Sequence, residues 1–415
     1  MKRGSVRDVF ELLKRYPFLI GVGAVAFLST AGLAVIVPTL PLYLKNELGF
    51  STGVIGLLLS VYAVTEIVAK TPFGIWSDRY GRRPVIMMGI LLAAFVPLGF
   101  IVARSPVSFV LLEVMNGLGV AAFWPILSAL IADSVGPEER VPSLAVINMA
   151  YLAALGVGPG LGTFVNHFMR SATASFYVAA ALLFASSFLA WVVFPKEAAV
   201  SGERKGRAVA GESAAEGRSP KDCYNPFYAM LFISLLQQFG IGMLGSTFVI
   251  FVNRQLGFSQ GEIGTALLVP AAAVALLALP LGQYAERVGK DRAIKFAYMV
   301  SAATLAAIPF LKGLWELVVA VAVLALAYVA GTPAWLAIAS VVAPYGKKGA
   351  AIAGISTMQS IGFIIGSPVG GLLYDKLHPT APLFACSGML FVCLFLAVVY
   401  IRGSFREESV PVESG

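Results

Sequence analysis

The sequence predicts an all-α integral membrane protein, with twelve transmembrane helices arranged as two six-helix pseudo-symmetric bundles. Three observations carry this. The chain of 415 residues has a mean hydropathy of +0.84 and is only 13% charged, too apolar for a soluble protein of its length. Apolar runs of about 20 residues or more, each able to cross about 30 Å of hydrocarbon as a helix, recur along nearly all of it. The two halves also repeat each other at a constant spacing.

The predicted spans are 17–43, 52–76, 84–103, 107–133, 142–165 and 174–194, then 226–252, 260–284, 293–311, 314–342, 349–372 and 382–401. The first follows the charged segment MKRGSVRDVFELLKR. It is too long for a signal-peptide core and has no small-residue cleavage site before PTLPLY, so it is expected to stay. The longest polar segment, 195–225, is rich in Gly, Ser, Ala and mixed charge without apolar periodicity. It reads as a linker between an N-terminal bundle, 1–194, and a C-terminal bundle, 226–415.

Across that linker the halves align at one offset of 208 positions. LGFSTGVIG from Leu48 pairs with LGFSQGEIG from Leu256, and PFGIWSDRYGRR from Pro72 pairs with PLGQYAERVGKD from Pro280. Gly158 and Gly162 fall opposite Gly366 and Gly370. A parallel repeat of this kind places a binding site at the repeat interface near the membrane midplane.

Of the 30 Lys and Arg residues, 23 fall on the face that carries the termini and the linker, six on the other, and Lys70 alone lies within a span. The positive-inside rule therefore places both termini in the cytoplasm and the chain in the cell membrane. The same asymmetry accounts for the basic balance, so a nucleic-acid partner is not needed to explain it. Cys223, Cys386 and Cys393, with His167 and His378 in short loops, make no metal-like pattern.

The turn GIWSDRYGRRP, Gly74 to Pro84, concentrates charge between apolar runs. Gly74 lets a neighbouring backbone approach, and Gly81 permits a positive φ where the second span ends. Asp78 is placed to accept from Arg82 or to face the positive end of another helix. Arg79, Arg82 and Arg83 alone would also serve as anchors to lipid phosphates. The second-half copy departs from the pattern, with Glu286 for Asp78 and Asp291 for Arg83.

This turn, in its place between the second and third of twelve spans, resembles the signature loop of the major facilitator superfamily. PTLPLY at Pro38 to Tyr43 and ALGVGPGLGT at Ala154 to Thr163 further resemble the twelve-helix drug:proton antiporter family. The resemblance implies a conformational latch of Gly74, Asp78, Arg79, Gly81, Arg82 and Arg83, with Asp133 supplying a further carboxylate and the eleventh helix as the partner across the interface. It also implies a transporter working by alternating access, with protons as coupling ion and no other cofactor. Glu113, in LLEVMNGLGVAA, occupies the position where the family's fourth-helix motif carries an arginine, while Asn116, Gly117, Gly119 and Ala122 fit the rest. The acid that cationic-drug exporters of the family carry in helix 1 is missing, since 21–42 holds none.

Only Glu66, Lys70 and Glu113 are ionisable and lie well inside the spans. A charge in hydrocarbon costs about 3 kcal/mol or more, so each is expected to face protein or a wet cavity and to act on a proton or a charged substrate. Glu66 and Lys70 are four apart, one above the other on a helix face, either as a static pair or as an acid alternating between lysine, proton and cation. Lys70 alternatively meets an anionic substrate. Cavity candidates are Asn116, Asn148, Tyr151, Gln237, Gln238, Trp335 and Gln359. Gly158, Pro159 and Gly162, with Gly366, Pro368 and Gly370, bend or tightly pack the fifth and eleventh spans.

The expected function is a proton-coupled exporter of amphipathic small molecules, working as a monomer in the bilayer. The alternatives are a sugar or metabolite transporter and a non-transporting sensor. No nucleotide-binding loop and no catalytic pair speak for an ATP-driven or enzymatic reading.

Overall fold

The computed structural model describes residues 6–194, 220–342 and 348–400. Side chains are not described for 6–10, 220–226, 276, 278–288, 290, 332–334, 336–342 and 348–350. The described residues form α1 (Val6–Arg15), α2 (Phe18–Asn46), α3 (Thr52–Tyr80), α4 (Arg82–Val102), α5 (Pro106–Ala121), α6 (Trp124–Ser134) and α7 (Arg140–Met169). They continue as α8 (Ala174–Val193), α9 (Pro220–Arg254), α10 (Gln260–Val288), α11 (Lys290–Ala307), α12 (Leu314–Val342), α13 (Lys348–Lys376) and α14 (Ala381–Tyr400). Among the described residues, eleven segments are long and apolar enough to cross a membrane. α10 contributes a shorter apolar stretch, Gln260–Ala275, inside a continuous 29-residue helix. Helices dominate because in hydrocarbon a helix satisfies its own backbone groups without water.

The expected spans differ from the helices in four places. Val6–Arg15, read only as a charged leader, is a short helix docked by Arg15 on Glu139 at 2.6 Å. His167, expected in a loop, lies in the last turn of α7. Residues 220–225, read as linker, already belong to α9, because extending a helix outward from its apolar core needs little propensity once it is nucleated. The rest of the linker, 195–219, and the tail 401–415 lie outside the described residues. The fourth span is broken at Ala122 and Phe123, where Pro125 in the next turn removes a backbone donor.

The repeat is visible in the backbone. Gly49 and Gly257 have φ of +69° and +78°, and Gly81 and Gly289 have +96° and +99°. Each pair is one repeat offset apart. Ser51 and Ser259, likewise offset, cap α3 and α10 by accepting the backbone N–H three residues on. Helix packing follows the same rule. α2 packs on α7 and α8, α8 on α4, and α5 on α3 and α4. Their counterparts are α9 on α13 and α14, α14 on α11, and α12 on α10 and α11. Between these groups the main contacts are α3 on α13 and α7 on α10, again repeat-related.

These two seams close at the end of the molecule away from α1, here the far end. Gly56 lies against the Ser367 carbonyl and Gly371 against Thr52. Across the other seam Gly261 abuts the His167 ring, and an added Cβ at Gly156 would sit 3.0 Å from Ala271. Ser60 donates to the Ile364 carbonyl at 2.6 Å. Asp375 accepts the Gly53 N–H at 2.8 Å and Lys45 at 3.2 Å, while Arg254 donates to Asn46 at 2.8 Å and to the Lys45 carbonyl at 3.2 Å. At the opposite end of α3, a Cβ on Gly74 would meet nothing within 4 Å, and Trp76 and Tyr80 are exposed. The conformation is therefore closed at the far end.

Because a Gly371 side chain would meet backbone, Gly371→Leu is expected to open the far end; Asp375→Asn is expected to weaken closure by about 1–3 kcal/mol. Bis-maleimide cross-linking of cysteines placed at Asn46 and Asn253, whose side chains bond at 2.9 Å, checks both. The yield is expected to fall in each variant.

Candidate functional site

Glu66 lies midway along α3, a helix of 29 residues. Tyr62, Glu66 and Lys70 follow at intervals of four, so they form one stripe along the helix. The Lys70 ammonium meets the Glu66 carboxylate at 2.8 Å, with side-chain exposures of 43% and 21%. The pair is therefore only partly buried by the protein. Tyr62 lies within electrostatic reach of Glu66, Glu113 and Tyr151. Sequence reasoning missed Tyr62; its place four residues before Glu66 on an apolar helix was the available signal.

α5 reaches this level because Gly117 has no side chain. A Cβ there would sit 2.7 Å from the Tyr62 carbonyl oxygen and 3.1 Å from the Glu66 nitrogen. Gly119 makes the same kind of approach to α4, where an added Cβ would sit 2.8 Å from the Gly89 carbonyl oxygen. One turn before Gly117 stands Glu113, 2% exposed. Its described hydrogen bond is from Asn116 Nδ2 at 3.4 Å. Asn116 Oδ1 is buried without a partner among the described residues. An ionised Glu113 would thus exchange its hydration shell for one long bond, a loss of several kcal/mol.

From α7, Tyr151 comes within electrostatic reach of Glu66 and of Tyr328 on α12. Its ring meets Trp124 edge to face, with centroids 4.7 Å apart. Trp124 opens α6 just after the break in the fourth span, so the break delivers this indole to the site. Residues of α3, α5, α6 and α7 converge here, with Tyr328 of α12, from the other packing group, within electrostatic reach.

The remaining cavity candidates spread out. Asn148 is exposed, and Gln238 and Gln359 are half-buried. Gln237 accepts from Tyr298 at 3.4 Å, inside its own packing group. Trp335 is 6% exposed and packs in a core cluster with Met230, Ile294 and Tyr298.

The charged turn forms a cluster within its own group. Arg82 pairs with Asp78 at 2.6 Å and with Asp133 at 3.4 Å, and donates to Ser77 at 2.6 Å. Arg83 donates to the Trp191 carbonyl. Arg79 and Asp78 are exposed. Gly81 takes the positive φ expected of it. The side chain of Glu286 and residues 343–347, before α13, lie outside the described residues, so the expected partnership with the eleventh span falls there. Asp291 pairs with Lys295 at 2.7 Å along its own helix.

The glycines of the fifth and eleventh spans pack within their own groups. A Cβ on Gly158 would sit 3.1 Å from the Ala31 carbonyl oxygen, and one on Gly162 would clash with the Val35 carbonyl. Gly366 touches the Phe239 carbonyl, and Gly370 would place a Cβ 2.5 Å from the Met243 Cα. Pro159 and Pro368 stand inside continuous helices.

A buried acid and a part-exposed ion pair inside apolar helices, between two repeat-related groups, fit a membrane transporter. The chain belongs to the major facilitator superfamily, whose family model matches residues 22–226 and 230–415. It is 24% identical over 377 residues to multidrug resistance protein 2 of Bacillus subtilis (strain 168), covering 90% of this chain and 92% of that one. It is 23% identical over 393 residues to quinolone resistance protein NorA of Staphylococcus aureus, covering 92% and 97%. In fold it is similar to the nucleoside transporter NupG, with a TM-score of 0.74 at 14% identity over 93% of this chain and 99% of that one. The resemblance to drug:proton antiporters thus extends along the whole chain.

Gly117→Leu is expected to force α5 off α3 and lower stability by about 1–3 kcal/mol, an overpacking effect. A melting temperature measured on purified protein checks it, with Gly117→Ala intermediate.

Proposed function

We propose that the chain is a proton-coupled antiporter that exports amphipathic small molecules from the cytoplasm by alternating access. The observation that carries this reading is the pairing of two unlike carboxylates at mid-span. Glu113 is buried with one long hydrogen bond, and Glu66 is part-exposed and held by Lys70. A buried acid without a cation holds a proton at low cost; a part-exposed one beside aromatic rings holds an organic cation. The names of the two bacterial relatives support a drug-like cargo.

In this reading α10 completes twelve crossings, the two packing groups are six-helix bundles that rock about the Glu66 level, and the end carrying α1 faces the cytoplasm. The basic face supports that orientation. The conformation described above is then inward-facing: the far-end seal excludes the outside while substrate enters from the cytoplasm. Substrate binds at Glu66, the seal opens, a proton arrives from outside, and the cargo leaves. The Asp78–Arg82–Asp133 cluster acts when the cytoplasmic end closes, as a latch made and broken each cycle.

Ethidium, a fluorescent lipophilic monocation, tests the coupling. Its affinity for purified protein is expected to rise with pH, because proton and cation compete for carboxylate charge. Glu66→Gln is expected to weaken binding about tenfold, or about 1.4 kcal/mol, and Glu113→Gln to flatten the pH dependence. If both variants kept pH-dependent transport, the coupling assignment would be wrong.

Asp78→Asn is expected to slow turnover in proteoliposomes about tenfold while binding in detergent is largely spared. Normal turnover would leave the arginines as lipid anchors only.

A further inference from the structure

An α-helix begins with four backbone N–H groups that lack intrahelical partners and with a positive dipole end, and an acid serves both. α3 and α10 start alike, with Ser51 and Ser259 accepting from Val54 and Glu262. These last two residues are repeat counterparts of different chemistry. Glu262 accepts the Ser259 N–H and the Ser259 hydroxyl, each at 2.8 Å, so α10 carries an acid of its own. The first turn of α3 carries none. Its acid is Asp375, from the last turn of α13 in the other packing group, which accepts the Gly53 N–H at 2.8 Å. The repeat counterpart of Asp375 is His167, whose ring lies against Gly261, the counterpart of Gly53.

The two seams differ in the same sense along their length. An added Cβ at Gly56 or Gly371 would meet backbone, of Ser367 and Thr52. Across the seam of α7 and α10, a Cβ at Gly160, Gly261 or Gly264 would instead meet the side chains of Leu268, His167 and Phe164. Side chains re-pack by changing rotamer, whereas helix backbone has no such freedom.

We propose that Asp375 caps α3 in trans only while the far end is closed, whereas Glu262 caps α10 in cis in every conformation, so that the seam of α3 and α13 is the latch of the far end and the seam of α7 and α10 yields around it. Parting α3 from α13 takes the acid from the start of α3 and returns the Gly53 N–H to water. Parting α7 from α10 leaves Glu262 on Ser259. Asp375 is thus a positioning residue that biases the molecule toward closure of the far end without touching substrate. The inference goes beyond the antiport reading and holds for any cargo or coupling ion.

Asp375 also meets Lys45 at 3.2 Å, so a plain ion pair is the rival explanation. The two differ in what they require. A helix cap needs the charge on Asp375 and works without Lys45, while an ion pair is lost equally when either partner is replaced.

The test reads how often the far end opens. Ser60 is buried and donates across the seam to Ile364, so in purified protein with Ser60→Cys, and with Cys223, Cys386 and Cys393 replaced by alanine, the rate of maleimide labelling follows the open fraction. A melting temperature within about 3 °C of the parent checks folding of each variant. Asp375→Asn is expected to raise the rate about fivefold or more, and Lys45→Met and Glu262→Gln by less than about twofold. An equal rise in Lys45→Met would overturn the trans cap in favour of the ion pair. An equal rise in Glu262→Gln would overturn the inequality of the seams, and a parent-like rate in Asp375→Asn would overturn the whole inference. Val54→Glu gives α3 an acid where α10 has Glu262. In that background Asp375→Asn is expected to raise the rate by less than about twofold, and an undiminished rise would also overturn the cap.

Discussion

The molecule depends on helix backbones meeting where one of them has no side chain. Water is absent from the hydrocarbon, so helices gain little by hiding apolar surface from each other and are held by close packing and by hydrogen bonds. Gly158 and Gly162 bring α7 onto α2, and Gly366 and Gly370 bring α13 onto α9. These contacts make each packing group coherent. Gly56 and Gly371 join the groups at the far end, and there carbonyl oxygens accept from Ser60 and Arg254. Gly117 does the same for the site by setting α5 on the backbone that carries Glu66.

The two kinds of contact have different permanence. Within a group, Gly158, Gly162, Gly366 and Gly370 lie against neighbouring backbone, and opening these contacts would leave voids in a close-packed interior. Between groups, the described seam at the far end is fastened by polar links such as Asp375 with Gly53 and Lys45. Those groups find water when the seam parts, so separation costs them little. Close packing within groups and polar links between them are what the proposed alternating access requires.

Much of this was legible in the sequence. The spans, the offset of 208 positions and the positive φ at Gly81 follow from local chemistry: apolar length, duplicated strings and a glycine at a helix end. Glu66, Lys70 and Glu113 stood out because charge is scarce in apolar runs. Tyr62 did not, since a tyrosine among fourteen carries no such signal until its neighbours are known. The break before Trp124 was signalled by Pro125, yet its consequence, a ring delivered to Tyr151, depends on where α7 passes. Gln237 and Trp335 looked like cavity groups by polarity; their partners turned out to be Tyr298 and a core cluster of their own group.

The sequence by itself determined that the chain is helical and membrane-embedded, that it is duplicated, and that three ionisable side chains lie deep in it. These are properties of single segments, set by transfer free energy and by residue spacing. Only the tertiary structure decided that Glu113 is buried while Glu66 is part-exposed beside Lys70, that α5 crosses α3 at the level of Glu66, and that the far end is closed. Burial and proximity are relations between helices distant in sequence, and here they are set by which glycine meets which backbone.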